Sequence, residues 1–160
     1  MNKIDVLLQE WDYCYVTEDW HPPLADALAG LTAEQADWRP QGEASNTIRE
    51  NVSHLLFFKE RLLRRLKGED ASRFDASTND ETFLNESQGW EETVANIERA
   101  HREIRDILAN LTEADLDRPM PTLPIARQVA SLVRHDAYHT GQIVQIRKLQ
   151  GSWPARRSFE

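Results

Sequence analysis

Two histidines four residues apart, in His135-Asp136-Ala137-Tyr138-His139, are the part of this chain best placed to do chemistry. On a helix, positions i and i+4 stand one turn apart on the same face, with Cβ atoms roughly 5–6 Å apart. Both imidazoles can then reach one metal ion, the geometry that helical zinc motifs use. At about 100° per residue, Ile125, Val129, Leu132, Val133, Ile143 and Ile146 form an apolar stripe. His139 falls inside that stripe, His135 at its edge, and Asp136 points inward as well. Polar side chains aimed into a core cost roughly 1–3 kcal/mol each when unpaired, so the cluster needs partners, and a metal ion would supply them.

The chain has five histidines. His54, in Val52-Ser53-His54-Leu55-Leu56, lies about 120° from the middle of its own stripe, at the border of the core beside Asn51 and Phe58. That position suits either a ligand facing a cleft or a half-buried histidine bonded to a carbonyl. His101 sits between Ile97 and Ile104 in a core position, where a histidine satisfied by packing is the commoner outcome. His21, between Trp20 and Pro22, belongs to a breaker segment, suited to capping a helix end or rimming a pocket. Asp136 either accepts the outer N–H of a ligand histidine, fixing its tautomer, or pairs with an arginine of a neighbouring helix. Gln142, on the flank of the pair, suits a bond to substrate or to a backbone carbonyl. Tyr138 points away from the stripe, toward another helix or a subunit interface. Gly141 reads as permitting close helix approach.

The elements that must carry these groups read as helices throughout. Ile4, Leu7, Leu8, Trp11 and Tyr15 give a first long helix over 3–18. Pro22 and Pro23 break it, and a short helix from Leu24 to Leu31 follows. Thr32 with Gln35 forms a capping box, and 38–42 is a turn. Ser45, Asn46 or Thr47 caps a second long helix running to about Lys67, which Gly68 ends. Residues 69–84 are polar without apolar period, a connection long enough to cross from one end of a bundle to the other. Trp90, Val94, Ile97, His101, Ile104 and Leu108 give a third long helix over about 85–110. A short turn or helix at 111–115 and a loop held by Pro119, Pro121 and Pro124 lead to the fourth, from about Ile125 to Leu149. The expected fold is all-α: a four-helix bundle with a long crossover between its second and third helices, plus short accessory helices, over one domain, 1–160.

Composition narrows the function. A net charge of −8 argues against a nucleic-acid surface; the one basic group, Arg61–Arg65, reads as a solvated helix edge. No apolar run approaches the roughly 18–20 residues that cross a bilayer, and the first residues lack the apolar segment of a signal peptide. A single cysteine, Cys14, reads as a packed thiol and points to a reducing cytoplasm.

Trp38-Arg39-Pro40, then Ser45-Asn46-Thr47-Ile48-Arg49-Glu50 leading to His54, and finally HDAYHTGQIVQIRKLQG from His135 to Gly151 carry a resemblance. Across essentially its whole length the chain resembles the DinB-like superfamily of four-helix metal proteins, which includes bacillithiol and mycothiol S-transferases. The resemblance implies a divalent metal held by His54, His135 and His139, and leaves His101 to packing. It also implies a homodimer and a small-molecule substrate. Three neutral imidazoles leave coordination positions open; zinc is the default, with nickel, iron or manganese tolerated. Such an ion acts as a Lewis acid or lowers the pKa of bound water to about 7, and of a bound thiol further. The resemblance to the transferases implies thiol S-transfer with a low-molecular-weight thiol cosubstrate; a metal-bound hydroxide would instead give hydrolysis. The alternative is a non-catalytic metal- or ligand-binding stress protein.

Overall fold

Helix signals written into the sequence are used where they stand. In the computed structural model, which describes residues 1–84 and 89–155, Thr47 caps the helix over Ile48–Lys67, α4. Its hydroxyl accepts from Glu50 N at 3.1 Å, while the Glu50 carboxylate accepts from Thr47 N at 2.8 Å. The same carboxylate takes Arg39, and Arg49 pairs with Asp37 at 2.5 Å. The turn before α4 is thereby tied to its first two turns. Gly68, at φ +71°, supplies the left-handed residue that stops the helix. Thr32 and Gln35 form the second expected capping box, opening α3 at Ala33–Asp37.

The described residues contain seven α-helices and no strand. Four are long: α1 (Lys3–Tyr15), α4, α5 (Trp90–Ala109) and α7 (Ile125–Leu149). Besides α3, the short ones are α2 (Leu24–Leu28) and α6 (Glu113–Leu116). Helix α4 packs against α5 and α7, and α1 closes the bundle against α7 and α5. Trp11, Ile48, Leu55, Ile97, Ile104 and Ile143 are buried between them. This is the expected all-α bundle. No described helix is long and apolar enough to cross a membrane.

Several boundaries differ from the sequence reading. Helix α1 ends at Tyr15 rather than 18: Thr17 N reaches back five residues to Asp12 O instead of four, and the β-branched Val16 and Thr17 have slightly lower helix propensity. Helix α2 ends at Leu28, three residues early, as Gly30 at φ +72° turns the chain. The expected start of the third long helix at 85–88 lies outside the described residues. The 69–84 connection carries two 3-10 turns, Ser72–Phe74 and Asp80–Phe83. Phe74 and Thr82 are buried, so this stretch packs onto α4 rather than merely crossing. Gly141 does not serve close helix approach: a Cβ there would meet nothing within 4 Å.

Candidate metal centre

Helix α7 sets His135 and His139 on one face, and α4 brings His54 across to them. The ring centroids of His135 and His139 lie 4.7 Å apart, and those of His54 lie 4.8 and 4.7 Å from the two. One ligating nitrogen from each ring falls within 4.8 Å of the others. His54 Nε2 and His135 Nε2 are 2.9 Å apart. Three nitrogens bound tetrahedrally to one zinc stand about 3.3 Å apart, so the donor set is already near that spacing.

The outer nitrogens decide which way the lone pairs face. Asn51 Nδ2 donates to Thr47 O at 2.8 Å, which turns its Oδ1 toward His139 Nδ1, also at 2.8 Å. His139 Nδ1 therefore carries the proton, and its Nε2 lone pair faces the cluster. Thr82 Oγ1 spends its only proton on Asn79 O, so it accepts from His54 Nδ1–H at 2.5 Å. His54 Nε2 is likewise a bare acceptor. For His135 the two demands conflict. Bonding to His54 requires a proton on Nε2, yet that leaves Nδ1 as a buried acceptor without a partner. A cation at the centre would let all three inner nitrogens point lone pairs at it, with the His135 proton moved to Nδ1, which still has no partner among the described residues.

Electrostatics agree. Burial, then the neighbouring His139 and His135, push His54 down to about 3. Burial, with Lys59 and Arg61 behind it, takes His135 to about 4. Burial and His135 lower His139 to about 4, against the Gln142 hydrogen bond and the Asp136 charge. All three rings are neutral at pH 7, the form in which imidazole binds a metal.

The surroundings were only partly legible. Phe83 stacks on His54 at 4.0 Å, and Phe58 stands edge-on to both His54 and His135. Neither Thr82 nor Phe83 carries a signal in a stretch without apolar period. Asn51, three residues before His54, could have been found from helical spacing. Gln142, expected to bond substrate or a backbone carbonyl, instead lies near enough to His139 to raise its pKa. Tyr138 is exposed, with its ring edge-on to His139 at 5.0 Å. His21 donates from its ring to Pro22 O at 2.9 Å, within its own breaker segment.

Of its two expected roles, Asp136 takes the ion pair across to a neighbouring helix. It is fully buried and pairs with the equally buried Lys59 of α4, Nζ to Oδ2 2.5 Å. The neighbouring-helix ion pair is what forms, with lysine where arginine was expected. Lys59 Nζ also lies 4.1 Å from the Trp11 ring centroid and 3.4 Å from His101 Nδ1. Cys14, His101 and Asp136 together have metal-ligating types within reach of one another, but the Lys59 ammonium already fills the cationic role among them. His101 stacks between Trp11 and Tyr15 at 4.8 and 4.4 Å. Burial and then Lys59 lower it to about 2, so it is a neutral packed ring. Burial and Asp136 raise the Cys14 thiol well above its ordinary value, which keeps it protonated.

Comparison with curated proteins gives no match. The family model of the DinB superfamily matches residues 22–143, most of the chain and all three clustered histidines. With its four long helices and this inward-facing histidine set, the chain belongs to the DinB superfamily.

Proposed function

We propose that the chain binds a divalent metal ion through Nε2 of His54, His135 and His139, and uses it on a small molecule. The reaction is thiol S-transfer to an electrophile, with a low-molecular-weight thiol as cosubstrate, or hydrolysis. One observation carries the metal reading: Asn51 and Thr82 hold the outer nitrogens of two rings so that the inner lone pairs converge. Zinc fits this donor set first, with nickel, iron or manganese also compatible. When bound, such an ion supplies Lewis acidity, easing loss of a proton from water or a thiol near neutral pH. The chain's own residues do the positioning. Asn51 and Thr82 fix ring orientation, Phe58 and Phe83 wall the cluster, and Gln142 stands beside His139 one turn along α7.

A second reading, a metal- or ligand-binding protein without turnover, is favoured by closure. His54 and His139 retain only 3% and 5% exposure, and Phe83 covers His54. A homodimer through a helical face, in the cytoplasm, belongs to the same proposal; sedimentation at micromolar concentration tests it, and monomer alone would refute it.

Elemental analysis of untagged protein decides the metal question. The expected result is one divalent ion per chain, lost in His139→Ala with helicity retained. Metal-free wild type after purification and reconstitution would overturn the reading. Assay of the loaded protein against panels of thiols, electrophiles and esters separates the two functions: turnover sensitive to His139→Ala supports the enzyme, and none supports the second reading.

A further inference from the structure

Beside the histidine cluster, α4 and α7 enclose a groove of about 300 Å³. Arg61 and Arg65 reach into it from α4, and Arg127 and Arg134 from α7. No carboxylate lines it, and among the described residues none of the four arginines forms an ion pair. Elsewhere among the described residues Arg39, Arg49, Arg64, Arg99 and Arg105 each hold a carboxylate, while Arg73, Arg102, Arg118 and Arg147 are, like these four, outside any ion pair; what marks the groove is that four such arginines line it together in a chain of net charge −8. Arg61 and Arg65 are half-buried, so their mutual repulsion is incompletely screened. Asp75 offsets Arg61 only from outside the groove.

The two arginines of α4 are held, while Arg127 and Arg134 are exposed at the groove's other wall. Arg65 Nη1 donates to Gln128 Oε1 at 3.3 Å, and Gln128 Nε2 is tied to Met120 O and Leu123 O at 2.5 and 2.9 Å. The Arg61 guanidinium lies over the Phe58 ring at 4.6 Å. Phe58 is also the wall shared with the histidines: it lines the groove and stands edge-on to His135, ring centroids 5.2 Å apart. Arg61 is near enough to depress His135 electrostatically.

We propose that this groove binds an anionic group, carboxylate or phosphate, on a small molecule whose reacting end lies at the histidine cluster. The proposal rests on the functional reading above for that second clause and names the charge of its substrate. Guanidinium forks match two-oxygen anions, and four of them in one groove suit a dianion better than a single carboxylate. The volume lies at the lower end of the ~300–1,000 Å³ range of small-molecule sites, which fits one anionic group rather than a whole ligand. The spacing Arg61/Arg65 and Arg127/Arg134, one turn and two turns along their helices, puts each pair on a single helix face. The expected solvated helix edge at Arg61–Arg65 is thus one wall of a groove whose other wall comes from α7.

The test is calorimetric titration of the full chain with inorganic phosphate and, separately, succinate, which distinguishes phosphate from carboxylate recognition. Binding of at least one at submillimolar affinity is expected. It should weaken by tenfold or more in Arg61→Gln and in Arg134→Gln, and stay unchanged in Arg39→Gln. His139→Ala should keep anion binding while losing metal, so failure of the metal reading and failure of this one are separable; chelators, themselves polyanions, are avoided. Thermal melting supplies a readout independent of ligand: Arg65→Gln should melt at the same temperature or higher, since it relieves repulsion. No binding of either anion at 10 mM (on the order of the weakest useful affinity), or equal binding by the arginine variants, would overturn the proposal. Tighter, arginine-dependent binding of single-stranded DNA or of anionic vesicles would also overturn it, in favour of a macromolecular partner.

Discussion

Lys59→Met removes an ammonium that is wholly buried, 2.5 Å from Asp136 Oδ2. The carboxylate left behind has an unpartnered Oδ1 and only the Cys14 thiol, at 3.5 Å, on Oδ2. Breaking a buried ion pair from one side costs about 3–5 kcal/mol. Methionine replaces most of the lysine stem, so lost packing is a minor part and the orphaned charge dominates. In a chain of this size each kcal/mol shifts melting by about 2–4 °C, so a fall of roughly 6–20 °C is expected. Asp136→Leu strands the ammonium and should cost a similar amount. In Lys59→Met/Asp136→Leu neither charge remains, and stability should return to wild type or exceed it by about 1–4 kcal/mol. The double-mutant cycle from urea unfolding at pH 7, with constant slopes, measures the coupling directly. A loss under about 1 kcal/mol in Lys59→Met, or a double variant no more stable than the worse single one, would refute the assignment.

Asn51→Leu should leave the fold intact and weaken metal affinity about 10–100-fold, because His139 loses the acceptor that fixes its tautomer; competition with a chromophoric chelator measures it, and unchanged affinity would count against the lone-pair reading. His54, His101, His135 and His139 all stay neutral in the folded protein well below the 6.5 at which the unfolded chain protonates. The unfolded state therefore binds more protons, and metal-free stability should fall between about pH 6.5 and 4, by up to about 1.4 kcal/mol per pH unit for each histidine; urea midpoints across that range check it, and a flat profile would contradict it. His101→Leu should keep metal content and change stability by no more than about 2 kcal/mol, since it removes both a stacked ring and a buried Nε2 without a partner; loss of metal there would show the wrong third ligand. Gly141→Ala should raise stability by about 0.5–1 kcal/mol, as the added Cβ meets no neighbour; a lower melting temperature would refute that.

Local signals in the sequence foretell the elements, and distant contacts decide what the site becomes. Helix α7 runs over Ile125–Leu149 as its stripe predicts, and Thr47 and Gly68 bound α4, because caps and periodicity act within a few residues. His135 and His139 are readable for the same reason. His54 is not: its spacing puts it at the core border, while Thr82 and Phe83, 28 and 29 positions later, bury it. Lys59 looks like an ordinary solvated lysine until α7 delivers Asp136 beside it. The arginine groove was invisible for a similar reason, since half of it comes from each of two helices far apart in the chain.

His54 and His135 stand 81 positions apart, so an ion held by both would act as a cross-link closing a long loop. A disulfide across such a span restricts the unfolded chain by about 4–5 kcal/mol in the chain-entropy model. The i, i+4 pair of α7 could still chelate weakly in the unfolded state, which would trim that gain. With its lone cysteine buried at Asp136, the chain has no internal disulfide to draw on. The histidines would give it a reversible staple instead, one whose strength follows metal supply rather than redox state.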